Sequence, residues 1–259
     1  MSASHPDFLL RLAETDEDIR AAQHLRYQAF VEEMGGDGPM VDHDAQLERD
    51  KFDPFFDHLM LLDKARGETV SEQIVGVYRL LRDDQIPQVG QFYTEDEYDL
   101  SALKDSGRKL LELGRSCLAA DYRGGTAMYV LWNGLADYVR THDIEILFGT
   151  ASFHGTDLDS IAPSLSLLHH RHLAPEELRV RALPQHFTEM NRIAYDDLDR
   201  RAAMLAVPAL IKGYLRLGGF VGEGAYVDKV FNTTDVCLVM DTERLSATQK
   251  KIYGSGGKT

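Results

Sequence analysis

The sequence predicts an α/β protein with a mixed, largely antiparallel sheet and helices on its faces. Three observations lead there. Two strand-like apolar runs, His58 to Leu62 and Ile74 to Leu81, are separated by charged residues and Gly67, which suits an antiparallel hairpin. A strand–loop–helix–strand unit follows, running from Leu110 to Ser152. Further helical and strand signals come after it and end in the apolar run Val236 to Met240.

Taken in order, the first element is a helix from Thr15 to Met34. Thr15 and Asp18 form a capping-box pattern, acids crowd the first turn, and Gly35-Gly36 supplies the stop. Its Arg26 and Phe30 lie four apart, on one face. A polar, acidic loop over 36–57 leads into the hairpin. The strand Leu110 to Ala119 passes through the turn Asp121-Tyr122-Arg123-Gly124-Gly125 into a helix with Met128, Leu131, Trp132, Leu135 and Val139 at helical spacing. The strand Ile144 to Ser152 comes next. Between Phe153 and Ala194 the signals are weaker: a short helix over Ser164 to His172 and a strand near Val180. Tyr195 to Val207 reads as helical, and Pro208 opens a second helix that Gly218-Gly219 ends.

Composition limits the function classes. Residues 1–259 read as a single domain with a helical and strand extension at its C-terminal end, since no repeat or low-complexity stretch divides them. A formal charge of −14 argues against broad nucleic-acid binding, which needs a net basic face. Cys117 and Cys237 each lie in apolar runs, so the expectation is two free thiols in a reducing, cytoplasmic setting. No signal-peptide pattern opens the chain, and no run approaches the roughly 20 apolar residues of a membrane span.

Charged residues inside apolar strands are the first site candidates, because burying them costs free energy unless they are paired or used. Leu111-Glu112-Leu113-Gly114-Arg115-Ser116-Cys117-Leu118 holds one acid and one base. A bulge at Gly114 would turn both to one side of the strand. The residues themselves leave two readings open, a structural ion pair and a reactive site. Arg79, within Ile74 to Leu81, needs a carboxylate or a ligand, and Asp50 and Asp53 are available in the acidic loop, where they read equally as solvated acids. Arg123-Gly124-Gly125-Thr126 before a helix could present N–H groups to a phosphate, or be only a turn. His154, His169, His170 and His172 lack metal-ligand spacing, so no metal is expected. No GxSxG elbow occurs, and nothing marks Cys117 as a nucleophile.

Together these pieces resemble two related groups of acyltransferases on the GNAT scaffold, the acyl-homoserine-lactone synthases and the ornithine N-acyltransferases. The first resemblance lies in Leu25-Arg26-Tyr27-Gln28-Ala29-Phe30, in Asp50 and Asp53, in Gly76-Val77-Tyr78-Arg79 and in Glu112-Leu113-Gly114-Arg115. The second runs nearly end to end through Leu131-Trp132-Asn133-Gly134-Leu135, Ser164 to His170, Pro208 to Gly219 and Phe231 to Val236. It implies a GNAT-like fold and an enzyme of ornithine-lipid biosynthesis. Such an enzyme moves a 3-hydroxyacyl group from acyl-carrier protein to the α-amine of ornithine by direct aminolysis. It implies no tightly bound cofactor, the donor arriving on the 4'-phosphopantetheine arm of the carrier.

The implied roles follow. Glu112 is the general base and Arg115 orients it or the donor. Asp50 and Asp53 take the ornithine ammonium groups, Arg79 takes its carboxylate, and Arg26 with Phe30 fixes the first helix over the acyl path. Arg123, Gly124 and Gly125 meet the pantetheine phosphate, although Arg123-Gly124-Gly125-Thr126-Ala127 departs from the full Arg/Gln-x-x-Gly-x-Gly/Ala loop of acetyl-CoA enzymes. Arg108, Lys109, Arg115, Arg123 and Arg140 are candidates for a basic docking patch, and a lyso-lipid product allows peripheral contact with the inner membrane. A lactone synthase using S-adenosylmethionine, a non-catalytic carrier- or lipid-binding protein and a CoA-dependent acetyltransferase are the alternatives.

Overall fold

In the computed structural model, which describes residues 5–244, the chain gathers into two units, 5–81 with 113–143 and 82–112 with 144–244.

The first unit is built on four strands, in the order β1 (Phe8–Leu12), β2 (Asp57–Asp63), β3 (Ile74–Arg82) and β4 (Leu110–Leu118), of which β4 contributes 113–118. β1 and β2 pair antiparallel from Phe8↔Asp63 to Leu12↔Leu59, and β2 and β3 pair antiparallel with His58 opposite Arg79. Helix α1 (Asp16–Arg26) starts on the expected capping box, with Thr15 accepting the Asp18 N–H while the Asp18 carboxylate takes the Thr15 N–H. The expected helix to Met34 is corrected in kind: after Arg26 the chain continues as a π-helix, Tyr27–Glu32, and ends at Gly35 with φ 76°. A wider turn re-aims side chains relative to α-helical spacing, and such turns gather at functional sites. Helix α2 (Ala127–Thr141) buries Leu131, Leu135, Ala136, Tyr138 and Val139. One core cluster joins Ala21, Ala22, Leu25 and Ala29 of the first helical segment to Met60, Leu62, Ile74, Val77 and Cys117 of the strands.

β1 was not expected. It is a short edge strand whose pairing with β2, a long-range contact, makes it a strand.

In the second unit, residues 110–112 of β4 pair parallel with β5 (Ile146–His154), as in Glu112↔Phe148. Helix α3 (Leu158–His172) starts six residues before the expected Ser164. Asp157 caps it, and Pro163, a residue that usually marks a helix start or break, hid its first turns. The expected helix from Tyr195 begins at Arg200 instead, since Asp199 caps α4 (Arg200–Ala206) after a 3-10 turn, Tyr195–Asp197. Helix α5 (Ala209–Arg216) follows Pro208 as expected. The sheet is completed by β6 (Phe220–Val221), β7 (Tyr226–Asp228) and β8 (Thr233–Asp241), β8 lying antiparallel between β5 and β6. A separate pair, Tyr98–Asp99 with Arg181–Ala182, accounts for the strand expected near Val180.

Among the described residues no helix is long and apolar enough to cross a membrane.

Candidate active site

The first unit carries three arginines and three carboxylates in one network. The short strand Leu47–Glu48 delivers Glu48, the turn before β2 delivers Asp50 and Asp53, the end of α1 delivers Arg26, β3 delivers Arg79 and β4 delivers Arg115. Asp53 is the hub. Its Oδ1 accepts from Arg26 at 2.7 Å and from Arg79 at 2.8 Å, and its Oδ2 accepts from Gln23 at 2.9 Å. Arg79 also donates to Asp50 at 2.7 Å, and its guanidinium lies 4.2 Å over the Phe56 ring. Glu48 bridges two cations, with Oε2 2.5 Å from Arg26 Nε and Oε1 3.1 Å from Arg115 Nε.

Six opposite charges balance to zero, which is how this many ions tolerate burial. Burial works to neutralise Glu48, but Arg115 and Arg26 outweigh it and hold its carboxyl down, at about 2. Burial opposes Asp53 in the same way, and Arg26 and Arg79 keep it far below the usual carboxylate range.

Access separates the members. The side chains of Arg26, Glu48, Asp50, Asp53 and Arg79 are all nearly enclosed, whereas the Arg115 side chain keeps 13% of its surface exposed. Arg115 Nη2 lies 3.9 Å from Asp50 and 3.5 Å from the Met40 sulfur. Met40 in turn lines a cavity of about 390 Å³ together with Asp42, His43, Asp44 and Arg49. Next to Gly114, where a bulge was expected, Arg115 has φ 49°, a left-handed backbone that a non-glycine residue rarely adopts.

The resemblance had pointed to Arg26, Asp50, Asp53, Arg79 and Arg115, and the fold brings all five together. It did not point to Glu48. Leu47-Glu48-Arg49-Asp50 reads as a charged loop, and only its apolar Leu47 hinted that this stretch turns inward. Phe30, on the π-helix, packs against the core cluster of the first helical segment. Glu112 belongs to the second unit, where its buried carboxylate accepts the N–H groups of Tyr93 at 2.9 Å and Thr94 at 2.6 Å.

Arg123 is exposed, pairs with Glu33 at 2.6 Å and donates to the Leu118 carbonyl. Gly124 takes φ 76°, and Thr126 gives the start of α2 no side-chain cap. Of the proposed docking cations, Arg108 pairs with Asp241, Arg140 pairs with Asp137 and Arg115 is mostly enclosed, so these residues do not present a common bare positive face. Burial pushes the Cys117 thiol up to about 12, which keeps it protonated. Among the described residues no three His, Cys, Asp or Glu side chains are grouped to hold a metal, and His170 instead meets the Ile193 carbonyl.

The mixed sheet with its flanking helices is that of a GNAT-type acyltransferase, and residues 25–133 match the family model described as the Acetyltransferase (GNAT) domain. A CoA-dependent acyl-homoserine lactone synthase, BjaI, solved with MTA, shares the fold at TM-score 0.54 and 11% identity over 96% of this chain and 88% of that one. FeeM, an N-acyl amino acid synthase from uncultured soil microbes, does so at 0.50 and 12% over 95% and 98%. The L-ornithine N(alpha)-acyltransferase of Rhodobacter capsulatus is 56% identical over 253 residues, 98% of this chain and 97% of its own. That of Brucella abortus is 41% identical over 95% and 88%. The chain belongs to the L-ornithine N(alpha)-acyltransferase family.

Proposed function

We propose that the chain transfers a 3-hydroxyacyl group from acyl-carrier protein to the α-amine of L-ornithine, giving a lyso-ornithine lipid. The observation that carries this reading is the near end-to-end identity with proteins of that name. In the reaction the amine nitrogen forms a bond to the thioester carbonyl carbon, and the C–S bond breaks. The carrier thiolate leaves and takes up a proton, with no acyl-enzyme in between. The protonated thiol of Cys117 fits direct transfer, since a thiolate is the nucleophilic form.

Glu112 is assigned the general base, directly or through water, on the strength of the motif it shares with Arg115. The amino-acid clamp is assigned to Arg115 and Asp50. Arg115 takes the ornithine carboxylate and Asp50 an ammonium group, because Arg115 is the most accessible member of the network and its Nη2 lies 3.9 Å from Asp50. Arg79, first matched to the carboxylate, is enclosed and donates to both Asp50 and Asp53, so it is assigned, with Arg26 and Asp53, to the rigid floor beneath the clamp. Phe30 is assigned to hold the first helical segment over the acyl path. Arg123, Gly124, Gly125 and the uncapped start of α2 are assigned to the phosphate of the pantetheine arm. The amphiphilic product makes peripheral contact with the cytoplasmic face of the inner membrane part of the proposal.

The test is mass spectrometry of the products from purified protein with ornithine and the same 3-hydroxyacyl group on carrier protein or on CoA, with S-adenosylmethionine as a competing acceptor. N-acyl-ornithine formed mainly from the carrier is expected. Product from CoA alone would overturn the donor assignment, and no amide of ornithine from folded protein would overturn the acceptor.

A further inference from the structure

We infer that the corner between α4 and α5 is the surface by which the protein docks on an anionic lipid bilayer, with Leu205 entering the lipid and the cations around it meeting the headgroups. The inference rests on the reading above, in which the product is an amphiphile. Leu205 is 69% exposed, more than any other large apolar side chain among the described residues. Ala202 stands three positions before it and four before Ala206, so the three share one side of α4, and all are exposed, as is Ala209 where α5 begins. The core uses the other side: Ala203 is buried with Leu167 and Leu198, and Ile211 and Tyr214 bury α5. The outward apolar side is therefore not needed to hold the two helices in place.

Charge selects the occupant. From Arg200 to Gly222 the sequence holds Arg200, Arg201, Lys212 and Arg216 and no carboxylate, in a chain of formal charge −14. Arg201 lies one helical turn before Leu205, and Lys212 donates to the Leu205 carbonyl at 3.0 Å, which closes the corner and holds a cation beside the leucine. Asp196, Asp197 and Asp199 precede α4, and Asp199 is turned to the helix start, where it accepts the N–H groups of Arg201 and Ala202. A single exposed leucine needs no explanation, but one set among exposed alanines and cations in an acidic chain has the make-up of an interfacial surface. Burial of the apolar side chain and attraction to anionic headgroups then add, and the long cationic stems can lie along the same apolar surface. A protein partner would need a recess shaped for Leu205, whereas a fluid acyl layer accepts any projecting side chain, which favours the bilayer.

The test is flotation of the full chain with vesicles of phosphatidylcholine alone or mixed with phosphatidylglycerol, at low and high salt. The wild type should float with the mixed vesicles, less at high salt and far less with phosphatidylcholine alone. Leu205→Glu should weaken that binding by on the order of tenfold or more, and Arg201→Gln by about fivefold, the worth of one cation at an anionic surface. Both side chains are exposed, so circular dichroism should show both variants folded, and turnover of carrier-bound donor without vesicles should stay within about twofold. A wild type that does not float with the mixed vesicles, or a folded Leu205→Glu that floats as well as the wild type, would overturn the inference. A raised KM for the carrier-bound donor in Leu205→Glu, with flotation unchanged, would make the corner a carrier dock instead. Flotation needs no substrate, so these failures leave the ornithine reading standing, and product analysis tests that reading separately.

Discussion

The Nε2 atom of His58 lies 3.1 Å from the main-chain carbonyl oxygen of Asp53, so an enclosed imidazole braces the turn that carries the hub of the charge network. Burial, reinforced by Arg26, pushes this imidazole down to about 4. The unfolded chain takes up the proton near the ordinary value of about 6.5, the folded one only near 4. Between those values the unfolded state binds more protons, so stability is complete above about pH 6.5 and falls as the pH drops toward 4, by on the order of 3 kcal/mol. Urea unfolding at pH 7.5, 6.0 and 5.0 should show this slope in the wild type and a flatter one in His58→Gln. Equal slopes would mean that the folded imidazole protonates freely.

Glu48 follows the same linkage rule one step lower. Its contribution is present above the ordinary carboxylate range of about 4.3 and is lost as the pH falls through about 2. Acid unfolding should therefore begin below pH 4.5 in the wild type and at higher pH in Glu48→Asp, whose carboxylate is more weakly held.

Asp53→Asn leaves Arg26 and Arg79 enclosed with one carboxylate fewer between them. Breaking a buried pair in this way costs roughly 3–5 kcal/mol. Arg123→Ala, which removes a pair with both partners more than a third exposed, should cost no more than about 1 kcal/mol. Urea midpoints for the two variants check the contrast, and comparable shifts would argue against a rigid buried floor.

Gly134→Ala tests packing. An alanine inside a helix is ordinarily better than glycine by up to about 1 kcal/mol. Here a Cβ at position 134 would overlap the Leu10 side chain, so Leu10 must leave its place in the packing between α2 and β1. The expected outcome is a loss of roughly 1–3 kcal/mol, the usual cost of overpacking. In a Leu10→Ala background the sign of the Gly134→Ala effect should reverse, and thermal unfolding of the four proteins of the cycle reads it.

Cys117→Ala should keep kcat within about twofold, and the wild type should resist iodoacetamide at neutral pH, since a buried protonated thiol is a poor nucleophile. Loss of turnover in folded Cys117→Ala would point to an acyl-enzyme and against direct aminolysis.

Much of this was legible in the residues. The capping box at Thr15 and Asp18, the hairpin strands and the helix after Gly124-Gly125 are local signals, and the structure places them within a few residues of expectation. Charges set inside the apolar runs of β3 and β4 were conspicuous because burial makes them costly, and they led to Arg79, Glu112 and Arg115. Tertiary structure decided the rest. That β1 is a strand depends on β2 lying beside it. That Glu48 is the enclosed bridge between Arg26 and Arg115, when its neighbour Arg49 is exposed, depends on which way a two-residue strand turns. That Arg79 is enclosed while Arg115 stays partly exposed follows from where β3 and β4 lie in the packed unit. Propensity and spacing act over a few residues, whereas burial and ion pairing are set by groups far apart in the chain, 67 positions for Glu48 and Arg115 and 133 for Arg108 and Asp241.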